Sequence, residues 1–145
     1  MTTIYFDMDG TLANFYGVEG WLDYIHAENP YPYIHAEPLL RMASLARILN
    51  RLQRTGFRIG IISWLARDSK PEYDEAVTKA KMDWLKKHLA SVKFDEIHIK
   101  AYGTPKHMFA TENDILFDDE ERNRTAWTGT AYDVHNILEI LKGIF

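Results

Sequence analysis

Two carboxylates and a glycine stand close together near the start of the chain, in the run Asp7-Met8-Asp9-Gly10-Thr11. The four residues before them, 3–6, predict a short strand. A strand that ends this way places two acids where a parallel sheet opens to solvent, which is where open α/β sheets hold ligands. Neighbouring carboxylates repel each other unless a cation lies between them, so the run indicates a divalent cation such as Mg²⁺, shared with a phosphate. Gly10 permits a sharp turn, and the amides beyond it are expected to face an anion.

The same five residues would also suit a solvated turn with Thr11 as a helix cap. Two further segments favour the site. Residues 57–62 predict a buried parallel strand that ends at Ser63, and residues 114–117 predict another that ends at Asp118 and Asp119. A hydroxyl and two more acids are therefore expected at the same edge of the sheet.

A lysine accompanies these groups. Thr104, Pro105 and Lys106 have the form of a helix start, with a threonine cap and a proline at the first helical position. The positive end of a helix dipole disfavours a lysine there, so we interpret Lys106 as directed at an anion. Lys100 directly follows an apolar strand and is the alternative for this role.

The order of these groups resembles the four motifs of the haloacid dehalogenase superfamily of phosphotransferases. The matching residues are, in motif order, Asp7 with Asp9, then Ser63, then Lys106, then Asp118 with Asp119. The resemblance spans residues 3 to about 134. Within the superfamily, the run Asp7–Phe15 and the segment Lys81–Leu85 look most similar to the 5′(3′)-deoxyribonucleotidases, as do residues 118–123 with Trp127.

This resemblance implies a Mg²⁺-dependent phosphatase that acts on a small phosphorylated substrate, a nucleoside monophosphate. Asp7 would attack phosphorus and form an aspartyl-phosphate, Asp9 would serve as acid and base, and Lys106 would neutralise charge. Asp7, the backbone carbonyl of Asp9 and Asp118 would hold the metal, with Asp119 supporting them from behind. Met8, Gly10, Thr11, Phe15, Ser63 and Trp64 are the expected substrate-binding residues. Phe15 matches a family position that stacks on the base.

The remaining elements predict an α/β fold. Apolar periodicity predicts helices over 39–55 and 71–90, a strand near 94–99, a last strand near 132–134 and a final helix. Alternation of strands and helices implies a haloacid dehalogenase-like, doubly wound parallel sheet of the Rossmann type. We expect a single domain, 1–145, with a small cap inserted after the first strand at about 13–37, where aromatic residues and two prolines replace the alternation.

Composition limits the alternatives. The net charge of −4 argues against a protein that binds nucleic acid through a general basic surface. No long apolar stretch or signal-peptide pattern is present, so we expect a cytoplasmic protein without a membrane partner. A polynucleotide 3′-phosphatase, another small-metabolite phosphatase and a phosphomutase stay open as alternatives. A non-catalytic receiver-like module is disfavoured, because Asp9 would have no purpose there.

Overall fold

The computed structural model describes residues 1–144, so residue 145 of the predicted domain lies outside the described residues. Five strands form one sheet: β1 (Thr3–Phe6), β2 (Arg58–Trp64), β3 (Glu96–Lys100), β4 (Ile115–Phe117) and β5 (Thr130–Tyr132). The α-helices in the same range are α1 (Trp21–His26), α2 (Tyr31–His35), α3 (Met42–Arg54), α4 (Pro71–His88), α5 (Glu121–Ala126) and α6 (Ile137–Ile144). Two 3-10 helices, Phe15–Gly17 and Lys106–Phe109, complete the described elements.

The strands are all parallel and lie in the order β3-β2-β1-β4-β5. The chain therefore builds the sheet outward from β1 in one direction and then from β4 in the other. The order reverses between β1 and β4, and at such a point the connections on either side diverge and leave a crevice beyond the carboxyl ends of the strands. Phe6 pairs with Phe117 in register, so Asp7 and Asp118 leave the sheet side by side.

Alternate residues of the strands enter two different cores. Ile4 and Phe6 pack with Leu45 of α3 and Leu141 of α6 in the larger core on one face. Tyr5 turns to the opposite face, where Ile62, Leu116 and Trp127 form a second cluster. Both faces of the sheet are therefore covered, as a parallel sheet requires, and the α/β fold predicted from the sequence is confirmed.

Several element boundaries differ from the predicted ones. Helices α3 and α4 are shorter than 39–55 and 71–90, and β2 continues through Ser63 to Trp64. The predicted cap at Thr104 is wrong: its hydroxyl donates to the Ala101 carbonyl at 2.7 Å, and the following helix is a single 3-10 turn that begins at Lys106. The Thr104 hydroxyl thus closes a local turn with Ala101 and does not cap a helix, as the sequence pattern predicted.

The aromatic insertion at 13–37 holds one 3-10 helix and the short helices α1 and α2. Phe15 and Tyr33 pack against Tyr73 and Val77 of α4, so this segment rests on the sheet through α4. Its assignment as a cap stays a prediction. Among residues 1–144, no helix combines the length and the apolar character needed to cross a bilayer.

Candidate active site

The loop after β1 folds into a tight turn. The carbonyl of Met8 accepts hydrogen bonds from the amides of Thr11, Leu12 and Ala13 at 2.9–3.1 Å, and Gly10 donates to Ala13 at 2.9 Å. The amides of Thr11, Leu12 and Ala13, which follow Gly10, are thereby used inside the turn. The expectation that they face an anion is therefore wrong.

Gly10 is required at its position for two reasons. Its φ of +83° lies in the left-handed region, where a side chain is strained. A Cβ there would also overlap Oδ2 of Asp119. The glycine therefore lets the turn and the Asp119 carboxylate approach each other.

Three carboxylates converge beyond the ends of β1 and β4. Asp7, Asp118 and Asp119 each bring an oxygen within 4.8 Å of the others. The Thr11 hydroxyl lies 3.1 Å from Oδ2 of Asp7 and 3.4 Å from Oδ1 of Asp119, and its single proton can serve either oxygen. Three acids this close repel one another, and oxygen ligands on two strand ends are what Mg²⁺ prefers, so the residues fit such an ion.

Lys106 neutralises part of this charge. It is buried, with 3% of its side chain exposed, and its Nζ donates to Oδ1 of Asp7 at 2.9 Å and to Oδ2 of Asp118 at 2.8 Å. Burial opposes the charge on Lys106, but the two carboxylates outweigh it and raise the pKa of the ammonium group above its usual range. Lys100 instead lies beside Phe109, with its Nζ 6.0 Å from the centre of that ring. Of the two candidate lysines, Lys106 is the one at the carboxylates.

Two acids of the cluster, Asp118 and Asp119, are harder to ionise than ordinary aspartates. Burial raises the pKa of Asp118 to about 6, and the negative charge of Asp7 adds to the shift. The same two causes, burial and then Asp7, raise the pKa of Asp119 to about 8. The uncompensated repulsion favours either protons or a cation at this point.

Asp118 is also held in place by hydrogen bonds from the residues that follow it. Its Oδ1 accepts from the Glu120 amide at 2.9 Å, and its Oδ2 accepts from the buried Asn123 side chain at 3.1 Å. Arg124 donates to the Asp118 carbonyl at 2.9 Å. Because both oxygens of Asp118 carry protein hydrogen bonds, Asp119 is placed at least as well to join a metal as to support it from behind.

Asp9 is held by a residue that the sequence reasoning did not assign to the site. Nζ of Lys81, on α4, donates to Oδ2 of Asp9 at 3.1 Å, to the Ser63 hydroxyl at 2.6 Å and to the Trp64 carbonyl at 2.6 Å. The Lys81 side chain is 1% exposed, whereas that of Asp9 is 19% exposed to the cleft. Burial raises the pKa of Asp9, and the charge of Lys81 opposes that shift.

A signal for Lys81 existed in the sequence. The apolar stripe of α4 passes through Val77 and Trp84, and Lys81 lies between them at helical spacing on the same buried face. A charged residue on a core-facing stripe needs a buried partner.

The Ser63 side chain is completely buried and its hydroxyl accepts the hydrogen bond from Lys81. It lies within β2, opposite Ile99 of β3, rather than beyond the strand. Its predicted contact with phosphate stays a prediction, since what the structure places around it is Lys81. Trp64 is partly exposed, and its ring nitrogen donates to the Thr104 carbonyl at 2.8 Å. This bond fixes the indole ring beside Lys106.

A cleft of about 830 Å³ opens above Asp7 and Asp9. Aromatic side chains from the insertion, from the end of β2 and from the loop after β3 line it: Phe15, Tyr16, Trp21, Tyr33, Trp64 and Tyr102. Phe15 is only 2% exposed, because its ring contacts Tyr16, Trp21 and Tyr33. Tyr16 is 53% exposed and Tyr102 is 40% exposed.

The sequence matches no protein-family model and no curated protein. The structure, however, is similar to that of D,D-heptose 1,7-bisphosphate phosphatase from Burkholderia thailandensis, with a TM-score of 0.61 and 11% identity over 99% of this chain and 98% of that one. It is also similar to the enzyme of the same name from B. bronchiseptica, complexed with magnesium and phosphate, with a TM-score of 0.58 and 10% identity over the full length of both chains. At such identities the likeness concerns the fold, and the chain shares the α/β fold of these phosphatases.

Proposed function

We propose that the protein is a Mg²⁺-dependent phosphomonoesterase that acts through an aspartyl-phosphate. The observation that carries this proposal is the position of Asp7, which lies between a buried lysine and two further aspartates at the point where the strand order reverses. The fold neighbours support it, since they are phosphatases and one holds magnesium and phosphate.

Asp7, Asp118, Asp119 and the backbone carbonyl of Asp9 would hold the ion. When bound, Mg²⁺ supplies positive charge for the phosphoryl oxygens and keeps several waters as ligands. Lys106 adds a fixed positive charge at Oδ1 of Asp7 and holds that carboxylate in place.

The reaction then follows from the positions of two acids. An oxygen of Asp7 attacks phosphorus while the bond to the leaving oxygen breaks, and Asp9 donates its proton to that oxygen. In the second step Asp9 takes a proton from water as the water oxygen attacks phosphorus, and the bond to Asp7 breaks. Lys81 keeps one Asp9 oxygen occupied, which orients the other oxygen of the carboxylate for proton transfer.

For the substrate we propose a nucleoside monophosphate, as the resemblance implies. A cleft lined by aromatic rings suits a planar base, and stacking on such a ring contributes about 1–3 kcal/mol. Because Phe15 is covered by its neighbours, Tyr16 offers the more exposed face, and we assign the stacking contact to Tyr16.

Phosphate release from nucleoside monophosphates, base-free sugar phosphates and 3′-phosphorylated oligonucleotides, with and without Mg²⁺, tests the proposal. We expect Mg²⁺-dependent release that is lost in Asp7→Asn, while the variant keeps the circular dichroism spectrum of the wild type. Near-normal release by Asp7→Asn would refute the mechanism. A preference for the oligonucleotide over every mononucleotide would refute the substrate class and favour a polynucleotide 3′-phosphatase.

Tyr16→Ala tests the base contact. We expect it to lower kcat/KM for nucleoside monophosphates about 5- to 150-fold relative to ribose 5-phosphate. Phe15→Ala is the comparison, since a buried packing ring would affect both substrates equally. An equal loss for both substrates in Tyr16→Ala would contradict the stacking assignment.

A further inference from the structure

Two arginines from distant parts of the chain meet at one oxygen on the wall of the cleft. Arg67 lies in the loop after β2 and Arg122 lies in α5, and their terminal nitrogens are 3.4 Å and 3.3 Å from the Tyr102 hydroxyl oxygen. The guanidinium carbons also lie over the Tyr102 ring, at 4.8 Å and 5.5 Å from its centre. Both arginine side chains are exposed.

The charge on this group is not balanced. Arg122 pairs with Glu120 at 3.2 Å, but within residues 1–144 no carboxylate forms an ion pair with Arg67. Two guanidinium groups that share one acceptor repel each other, and an anion between them would relieve that repulsion. The Tyr102 hydroxyl accepts from both arginines, so its own proton is available to a third group.

The group is next to the catalytic lysine. Nζ of Lys106 lies 5.3 Å from the centre of the Trp64 ring, whose other neighbours are Tyr102, at 5.1 Å between ring centres, and Arg122, at 4.7 Å. The Trp64 ring therefore lies between the Lys106 ammonium group and the two arginines. Arg67, Tyr102 and Trp64 also line the same cleft as Asp7 and Asp9.

We propose that Arg67, Arg122 and Tyr102 form a subsite for a second phosphate, which does not react, on a small substrate with two phosphate groups. Planar guanidinium groups match phosphate oxygens with paired hydrogen bonds. The Tyr102 ring lies against both guanidinium groups, and the Trp64 ring lies against that of Arg122 as well. The rest of the cleft is acidic, so without this subsite a second phosphate would be repelled. The inference rests on the proposed function, since it assumes that the first phosphate lies at Asp7, and it extends the proposed nucleoside monophosphate to a nucleoside that carries a second phosphate.

Binding to Asp7→Asn, measured by calorimetry in Mg²⁺, tests the subsite without turnover. The probes are adenosine 3′,5′-bisphosphate and adenosine 5′-monophosphate, together with the base-free pair fructose 1,6-bisphosphate and fructose 6-phosphate. We expect the dissociation constant of each bisphosphate to be about 10-fold or more below that of its monophosphate partner. A hydrogen bond between a guanidinium group and a phosphate contributes at least about a tenfold gain in affinity. The ratio should fall as NaCl rises from 50 to 300 mM.

Arg67→Gln and Arg122→Gln, each in the Asp7→Asn protein, should reduce this ratio about 3-fold or more, and the double substitution should bring it close to one. Arg47→Gln removes an equally exposed charge from α3, where Arg47 lies along a different groove, and should leave the ratio unchanged. Equal affinity for mono- and bisphosphates in Asp7→Asn would overturn the proposal, as would a ratio that ignores both arginines. Tighter binding of a 3′-phosphorylated oligonucleotide than of either bisphosphate, lost with the same arginines, would overturn the small-molecule assignment.

The phosphatase proposal fails in a different way. It fails if the wild-type protein releases no phosphate from any of these compounds, whatever their relative affinities. Binding to Asp7→Asn therefore reports on the subsite alone.

Discussion

Replacing Lys81 by methionine should remove the partner of a carboxylate in the cleft while it keeps the length of the side chain. Lys81 is 1% exposed and donates three hydrogen bonds, to Asp9, Ser63 and Trp64. Breaking a buried ion pair by removing one partner typically costs about 3–5 kcal/mol, because the other charge is left uncompensated. Asp9 is 19% exposed and can escape part of the cost by taking up a proton, which places the expected loss near the lower value, about 3 kcal/mol.

The assay is urea unfolding at pH 7.5 without metal, followed by tryptophan fluorescence and circular dichroism. Lys79→Met is the matched control: Lys79 also pairs with an aspartate, Asp83 at 2.6 Å, but both side chains are exposed on the same helix. We expect a much smaller change for the control. The double variant Lys81→Met/Asp9→Asn should be more stable than Lys81→Met by about 1–2 kcal/mol, because the stranded charge is gone.

The loss in Lys81→Met should also grow with pH, since deprotonation of Asp9 is what it penalises. A loss no greater than that of Lys79→Met would refute the reasoning. The reasoning would also be refuted if the double variant lost as much free energy of unfolding as Lys81→Met and Asp9→Asn lose together, because the ion pair would then contribute nothing.

Three further outcomes are expected. Gly10→Ala should raise the Mg²⁺ concentration needed for half-saturation about 10-fold or more, as measured by calorimetry, because the new Cβ displaces Asp119. Gly56→Ala is the control: its backbone strain is comparable, with φ +106°, but the space around it is open, so it should not change this concentration. Mg²⁺ should raise the melting temperature more at pH 8.5 than at pH 5.5, because Asp118 and Asp119 have raised pKa values and must lose protons to bind the ion. Without metal, these two carboxyl groups bind more protons in the folded protein than in the unfolded one, so they lower the stability as pH rises. A Mg²⁺ effect that does not change with pH would contradict this. Asp118→Ala should increase the Mg²⁺ required for activity, whereas Asp9→Asn should slow turnover even at saturating Mg²⁺; recovery of Asp9→Asn by added metal would show that Asp9 acts only as a ligand.

The sequence alone determined what local patterns can carry. Apolar runs that end in acids identified β1 and β4, an apolar run that ends in Ser63 identified β2, and the alternation of strands and helices predicted the parallel sheet that the structure has. Asp7, Asp118 and Lys106 were found in the sequence because strand ends and a helix start mark them, and the parallel order then brings them to one edge.

Only the tertiary structure decided the contacts between distant segments. Lys81 meets Asp9 across 72 positions of sequence, and Arg67 meets Arg122 only at Tyr102. The burial of Phe15 likewise depends on how Tyr33 returns to it. Local periodicity indicates which face of an element is buried, but the partner on that face is set by how whole elements pack, so no pattern in the sequence contains it.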